Sequence, residues 1–436
     1  MILPGAPPAP ARGICCAKAT AEMSIADHAK RLAQTLVLMA LRMANTAAKF
    51  LLALYTARYL GLAELGVYGL LVGATTLVPA VLGLGTTDWV MRHLVTMPRD
   101  EAIASIATRL ALPTLLHVIG QPLIWLGNYL LGTPVPWPLL ITCGLVLFLE
   151  HIASDTNDLL VGRGRILLAN ILFFMRAGLW PPVVIVWGLV DPSARTLECL
   201  LLGWLGGLVL VWITLAAHLF SQKRWRAIGM RLPWIASGVR ASVPFYIKDL
   251  TGAASLYLDR FVLSLFLGLE LTGVYTLFWS VANVLHNLTV FSVIQPKLPN
   301  LIEAGQGADP TAFRTLERKI QIEAGIWIVV LAAGASVALF ILLPFLQRPT
   351  LYDHLAIFWI VLAATALRAA ADGYGFVLLA LHRDTAIAVI SVAGAIASIV
   401  LNVALIPLLG IAGAALAYVA TSGGMLAVRY RVTRTA

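Results

Sequence analysis

Apolar runs of roughly twenty residues recur along the whole chain, separated by short polar punctuation. They fall near 34–59, 65–88, 103–127, 135–156, 166–190 and 197–220, and resume near 241–267, 270–294, 319–346, 352–380, 385–408 and 411–429. Each is long enough to cross a ~30 Å hydrocarbon layer as a helix. The pattern predicts an all-α polytopic membrane protein of about twelve transmembrane helices. An even number puts both termini on one side.

Composition agrees. Of 436 residues, 60% are hydrophobic and 12% charged, with a mean hydropathy of +0.88; soluble domains carry roughly 25% charged residues. A single soluble core stops growing at about 250–300 residues and cannot absorb this much apolar surface. The net charge of +10 is not gathered in one domain but dispersed between the apolar runs, which argues against nucleic acid as a partner. It has the distribution of the positive-inside rule. With the N-terminus, every second loop and the C-terminus assigned to one side, that side holds 21 of the 31 Lys and Arg residues. The other side holds Arg58, Arg195 and Arg348, and seven cations fall within spans. The split supports cytoplasmic termini in a bacterial inner membrane.

Cys15, Cys16, Cys143 and Cys199 show no metal-ligand spacing, and two of them lie in apolar runs, so neither a disulfide framework nor a zinc site is expected. No Gly-rich phosphate loop is present, and no cofactor is implied. Residues 1–31 are rich in Pro and Ala without an apolar core, unlike a signal peptide. They read as a disordered cytoplasmic tail, or as sequence upstream of a start at Met23.

The chain repeats itself. LGLAELGVYGL at 60–70 and LGLELTGVYTL at 267–277 agree at seven of eleven positions with a constant offset of 207, including Gly66/Gly273 and Tyr68/Tyr275. Each copy lies at the turn between the first and second helix of a six-helix half. Six is even, so the halves share an orientation and are expected to be related by a pseudo-two-fold along the membrane normal, with the substrate between them. The expected organisation is a lobe at 32–220, a basic linker at 221–240, a lobe at 241–430 and a short cytoplasmic tail at 431–436. The linker carries Trp225 and Trp234 and suits the inner headgroup layer. Asp309-Pro310 reads as a capped helix start leading into the ninth span.

Charges inside spans are costly and by default mark function. The first helix carries Arg42, Asn45, Thr46 and Lys49 at i, i+3, i+4 and i+7, which places them on one face. Lys49 is roughly 22 Å into the span at 1.5 Å per residue. Arg42 is nearer the inner interface, within reach of snorkelling. Arg176, Lys248 and Arg368 are the other deep cations, whereas Arg109 and Arg260 lie nearer helix ends and read as interfacial. Asp372 follows Arg368 by one turn, Asp249 adjoins Lys248 and Asp259 precedes Arg260; these acids are read as ion-pair or coupling groups. No acid in the first helix matches Arg42 and Lys49, so the expected ligand is an anion. The substrate-binding set expected from sequence is thus Arg42, Asn45, Lys49, Arg176, Lys248 and Arg368. His117, His218 and His286 read as interhelical hydrogen-bonders.

GLAELGVYGLL, LDRFVLSLFLGLELTGVY (258–275) and LNVALIPLLGIAGAALAYV (401–419) together resemble the polysaccharide-transport and O-antigen (Wzx-type) flippases of the multidrug/oligosaccharidyl-lipid/polysaccharide flippase superfamily. The resemblance covers residues 32–430. It implies a V-shaped pair of six-helix lobes around a cationic cavity, with a polyprenyl-diphosphate-linked oligosaccharide moved by alternating access. The partners it implies are the anionic lipid-linked glycan and membrane lipids, for a monomer; a coupling cation is left open. A cation-coupled multidrug efflux transporter of the same fold is the alternative, and would want a deep acid in the N-terminal half. A membrane-embedded glycosyltransferase or ligase is a third reading, and the short external loops offer no catalytic residues for it. The protein is therefore read as a transporter, not an enzyme.

The orientation has a direct check. Thiol labelling from outside the cell is expected to reach a cysteine introduced beside Arg195 and not one beside Arg226; the reverse pattern refutes it.

Overall fold

The computed structural model describes residues 25–130, 136–221, 226, 228–306 and 310–435, with side chains from Val37 onward. Most of the N-terminal tail, Trp225 of the linker, Asp309 and Ala436 lie outside the described residues. Among the described residues every element is helical. The first lobe comprises α1 (Ile25–Tyr55), extended by a π turn at Thr56–Leu60, then α2 (Leu62–Leu82), short α3 (Thr86–Leu94), α4 (Arg99–Leu130) and α5 (Trp137–Gly162). It continues with α6 (Ile166–Phe174), which runs through a π turn at Met175–Leu179 into α7 (Trp180–Val190), and ends with α8 (Leu197–Ser221). A connecting helix, α9 (Leu232–Ala241), leads to α10 (Val243–Thr289) and α11 (Leu298–Gln306). The chain finishes with α12 (Pro310–Leu346), α13 (Pro349–Asp353), α14 (Leu355–Ala380), α15 (Asp384–Leu409) and α16 (Ile411–Thr435).

Among the described residues eleven segments are long and apolar enough to cross a membrane, and one of them, Val243–Gln306, has 64 residues. At 1.5 Å per residue that is roughly 96 Å, far more than one crossing. Gly268, at φ 81° and ψ 179°, breaks it. The two arms, α10a (243–267) and α10b (269–289), are separate crossings, which makes twelve. The second span ends earlier than the expected 88, because the turn at Gly83–Gly85, with Gly85 at φ 65°, divides α2 from α3.

The repeat marks the contact that joins the lobes. A Cβ built on Gly66 would collide with the Leu269 carbonyl oxygen, and one on Gly273 with the Leu62 carbonyl oxygen. Leu62/Leu269 and Gly66/Gly273 are both repeat-related pairs, so the contact is reciprocal, as a pseudo-two-fold requires. Gly61, at φ 142°, and Gly268 make the equivalent turns into α2 and α10b. Only glycine at both positions lets the two backbones approach this closely.

At that end the lobes are also joined by Arg348, whose Nε donates to the Ala57 carbonyl (2.9 Å) and Nη2 to the Arg58 carbonyl (3.1 Å). The α2–α10a seam stays shut along its length. Gly73 packs on Tyr257 and Phe261, Gly85 on Tyr246, and the Arg92 guanidinium lies 4.6 Å from the Phe245 ring centre. The described part of the linker packs on the first lobe. Trp234 meets Trp89 at 4.6 Å between ring centres, and the Arg231 backbone N–H donates to Thr108 Oγ1 (2.9 Å).

Apolarity is inverted relative to a soluble protein. Leu265 and Leu408 are 79% and 78% exposed, as befits faces solvated by lipid, whereas Arg109 and Arg260 are among the most completely buried side chains.

Gly273→Leu is expected to wedge α2 from α10b and destabilise the protein by about 1–3 kcal/mol or more, measured as a fall in melting temperature of the purified protein. Gly424→Leu, where a Cβ meets nothing within 4 Å, is the control and should melt like wild type.

Candidate functional site

A cavity of about 590 Å³ lies between the lobes. It reaches the end of the bundle where α1 begins and α5 ends, through Arg42, Val161, Asn170 and Gln295, and its floor is at the level of Tyr68, Tyr257 and Arg260. Arg42, Asn45, Thr46, Lys49 and Phe50 of α1 line it. The helical spacing read from sequence therefore does present one face to the space between the lobes. Arg42 and Lys49 are exposed there, and neither forms an ion pair among the described residues. Asn45 is 4% exposed, and neither its Oδ1 nor its Nδ2 has a hydrogen-bond partner. It packs against Gly178 in the π turn of the fifth crossing, where a Cβ would displace its amide.

Arg260 was expected at the interface and is instead at the cavity floor, 1% exposed. Its guanidinium carbon lies 4.2 Å from the Trp279 ring centre and 5.0 Å from that of Tyr257. Asp259 beside it accepts the Tyr275 hydroxyl (2.9 Å) and lies 3.9 Å from Arg260. The lining thus contains three cations and, among the described residues, no carboxylate. Amides (Asn157, Asn170, Asn283, Asn287) and aromatic faces (Tyr68, Phe173, Trp279, Phe291) make up much of the rest.

Three residues expected in the cavity do not line it. Arg176, in the fifth-crossing π turn, is buried against Glu150 of α5 (Nε to Oε1, 3.4 Å) and the Phe173 ring (5.2 Å). Glu150 also accepts the Trp204 indole N–H (3.3 Å). Lys248 is on the α2–α10a seam, ion-paired across the lobes with Asp88 of α3; the adjacent Asp249 is 3.4 Å away. Arg368 is engaged with Tyr418 inside the second lobe. Asp372, expected to pair with Arg368, does feel its charge, and also accepts from Arg429 Nη1 (2.7 Å) and contacts His286 Nε2 (2.9 Å). In each case at least one partner belongs to a different span, which a reading along one helix cannot reach.

Arg109 is also interior rather than interfacial. It is 0% exposed and ion-paired with Asp155 (2.9 Å), while its Nη2 donates to Thr87 Oγ1 (2.7 Å). Asp155 continues a buried chain through His151 (3.4 Å) to His117, whose Nε2 is 3.1 Å from His151 Nδ1. These acids were legible in one place: FLEHIASDTND at 148–158 puts Glu150, His151, Asp155 and Asp158 inside a single span. That run supplies deep acids to the N-terminal half, beyond the first helix.

The α1–α10b seam differs from its counterpart. An apolar groove of about 410 Å³ runs between Met39, Met43 and Ala47 of α1, Leu285 and Leu288 of α10b, and Leu331 and Ala335 of α12. It shares Arg42, Thr46, Phe50, Val284, Asn287 and Phe291 with the cavity, so the two spaces are continuous. Arg42 stands at the junction, 5.4 Å from the Phe291 ring centre.

No family model and no curated protein matches the chain. Solved structures do share its architecture. An inward-facing multidrug resistance MATE family transporter of the MOP superfamily superposes with a TM-score of 0.67 at 14% identity, over 90% of this chain and 94% of that one. The lipid II flippase MurJ, in an inward closed conformation, gives a TM-score of 0.71 at 11% identity, over 91% and 87%. An outward-facing MATE family transporter gives 0.54 at 13% identity, over 92% and 95%. The chain is a multi-pass membrane protein with the two-lobe fold of these MOP-superfamily transporters.

Asp155→Ala strips Arg109 of its counter-ion in a fully buried site and is expected to destabilise the protein by about 3–5 kcal/mol. Arg109→Met combined with Asp155→Leu should recover much of that loss in the melting temperature, since an apolar pair leaves no charge unpaired.

Proposed function

We propose that the protein is a flippase of the bacterial inner membrane that moves a polyprenyl-diphosphate-linked oligosaccharide by alternating access, for surface polysaccharide synthesis. One observation carries this reading: a cavity bearing Arg42, Lys49 and Arg260 without a carboxylate runs into an apolar groove at the α1–α10b seam. A ligand matching both spaces has an anionic polar head and a long apolar tail.

The chemistry of each part suits this ligand. A cation in hydrocarbon costs about 2.5–3.5 kcal/mol on insertion scales, a cost offset when it faces water or an anion. Arg42 can clamp diphosphate oxygens bidentately and Lys49 can meet them as a point charge. The unpartnered amide of Asn45 and the free Oδ1 of Asn157 can bond sugar hydroxyls, and the aromatic faces can stack on sugar rings. The tail would leave sideways through the Met39/Leu285/Leu331 groove into lipid. Several moderate contacts, rather than one tight cage, allow release on the far side. In the resulting orientation both termini and the linker are cytoplasmic.

A second reading, cation-coupled multidrug efflux, is favoured by the shared MATE fold and by the deep acids of α5. Those acids stand behind the cavity wall: Glu150 is held by Arg176 and Trp204, and Asp155 by Arg109. The surface offered to a substrate is cationic, which disfavours a cationic drug.

In a flippase-null strain, Lys49→Ala and Arg42→Ala are each expected to abolish rescue of surface-polysaccharide export with protein level near normal, and Lys49→Arg to retain part of it. Wild-type rates in both alanine variants would refute the cationic site. Ethidium efflux without glycan export would establish the second reading instead.

A further inference from the structure

A second groove, of about 410 Å³, lies on the outer face of the first lobe and shares no residue with the central cavity. Its floor is apolar, formed by Ile106 and Leu110 of α4, Leu168 of α6, and Leu215 and Leu219 of α8. Its rim is basic: Arg99 opens α4, and Arg163 and Arg165 form the α5–α6 turn around Gly164, which has φ 75°. Among the described residues no carboxylate lines it, and none of the three arginines forms an ion pair. Arg163 spends one N–H on the Leu94 carbonyl (2.8 Å) and keeps the others of its guanidinium for a ligand. Trp212, also on the lining, holds an indole N–H buried without a partner.

We propose that this groove binds an anionic phospholipid. Three uncompensated guanidinium groups above an apolar slot match a phosphate-bearing headgroup above acyl chains, and they stand at the same end of the bundle as the basic loops, where anionic headgroups concentrate. The slot takes the headgroup, glycerol and upper chain carbons. Below it Leu115 (57% exposed) and Ile213 (60% exposed) continue an apolar face for the tails. A zwitterionic lipid brings its own cation to the rim and gains less from it. A free phosphate would leave the apolar floor in water.

The position gives such a lipid leverage on the lobes. Thr156 and Leu160 of α5 face this groove, while their neighbours Asn157 and Val161 face the central cavity, so one helix is the wall of both. Ile228 of the connecting segment roofs the groove, next to the point where Thr108 holds Arg231. A bound lipid therefore braces α5 and the linker together, whatever the cavity carries.

Native mass spectrometry of the full-length protein with phosphatidylglycerol and phosphatidylcholine of equal chain length tests this directly. The expected result is retention of phosphatidylglycerol in preference by about tenfold, weakening in high salt. The Arg163→Gln/Arg165→Gln variant should lose that preference and still retain either lipid weakly. Leu215→Trp, which fills the floor and leaves the rim intact, should lose both lipids. Equal retention of the two lipids by wild type, or an unchanged preference in the double arginine variant, overturns the proposal. If that variant does not fold, the wild-type competition and Leu215→Trp decide it. None of these readings involves glycan transport.

Discussion

An ionised side chain inside the hydrocarbon layer must be paired or face water, and this constraint organises the bundle. Asp155 neutralises Arg109 between α4 and α5, Glu150 neutralises Arg176 between α5 and the fifth crossing, and Asp372 takes Arg429 between α14 and α16. Each pair ties helices that lipid alone would not hold together, since lipid tails are as apolar as the side chains they solvate. Once these pairs are made, Arg42 and Lys49 remain outside any ion pair among the described residues, and both face the cavity. The candidate substrate site is thus what is left when the interior charges have been matched.

The second constraint is steric and acts at the opposite end of the bundle. Gly66 and Gly273 let α2 and α10b touch backbone to backbone, reciprocally, about the pseudo-two-fold. That end is pinned, and the cavity opens at the other. The two seams beside it are not alike. Along α2–α10a, Lys248–Asp88 and Arg92 over Phe245 keep the lobes together, whereas between α1 and α10b there is an apolar groove. An opening on one side only suits the lipid-tailed substrate proposed above.

The fold was largely legible along the chain. Hydropathy located twelve crossings, most of their ends within a few residues, and the repeat at 60–70 and 267–277 marked the turns that the structure makes equivalent. The split at Gly268 illustrates why both signals were needed, since the apolar pattern runs through it almost unbroken and a single glycine at positive φ divides the two crossings. On α1, the 3.6-residue period placed Arg42, Asn45 and Lys49 on a shared face before any neighbour was known. The acid-rich run at 148–158 was equally readable, and weighing it with the cations would have shown that deep positive charge had partners available.

Other assignments needed the tertiary structure. Lys248, Arg176 and Arg368 looked like members of one cationic site, but Asp88, Glu150 and Tyr418 claim them from 160, 26 and 50 residues away. Arg260 looked interfacial and became part of the cavity floor because Trp279, on the next crossing, folds back over it. The physical reason is the range of each effect. Transfer into lipid, helical periodicity and glycine's backbone freedom act on a residue and its near neighbours, so the sequence by itself determined crossings, turns, repeat and the polar face of α1. Charge pairing acts through a few ångströms of space regardless of chain separation, so only the packed bundle decided which cations are neutralised and which face the cavity.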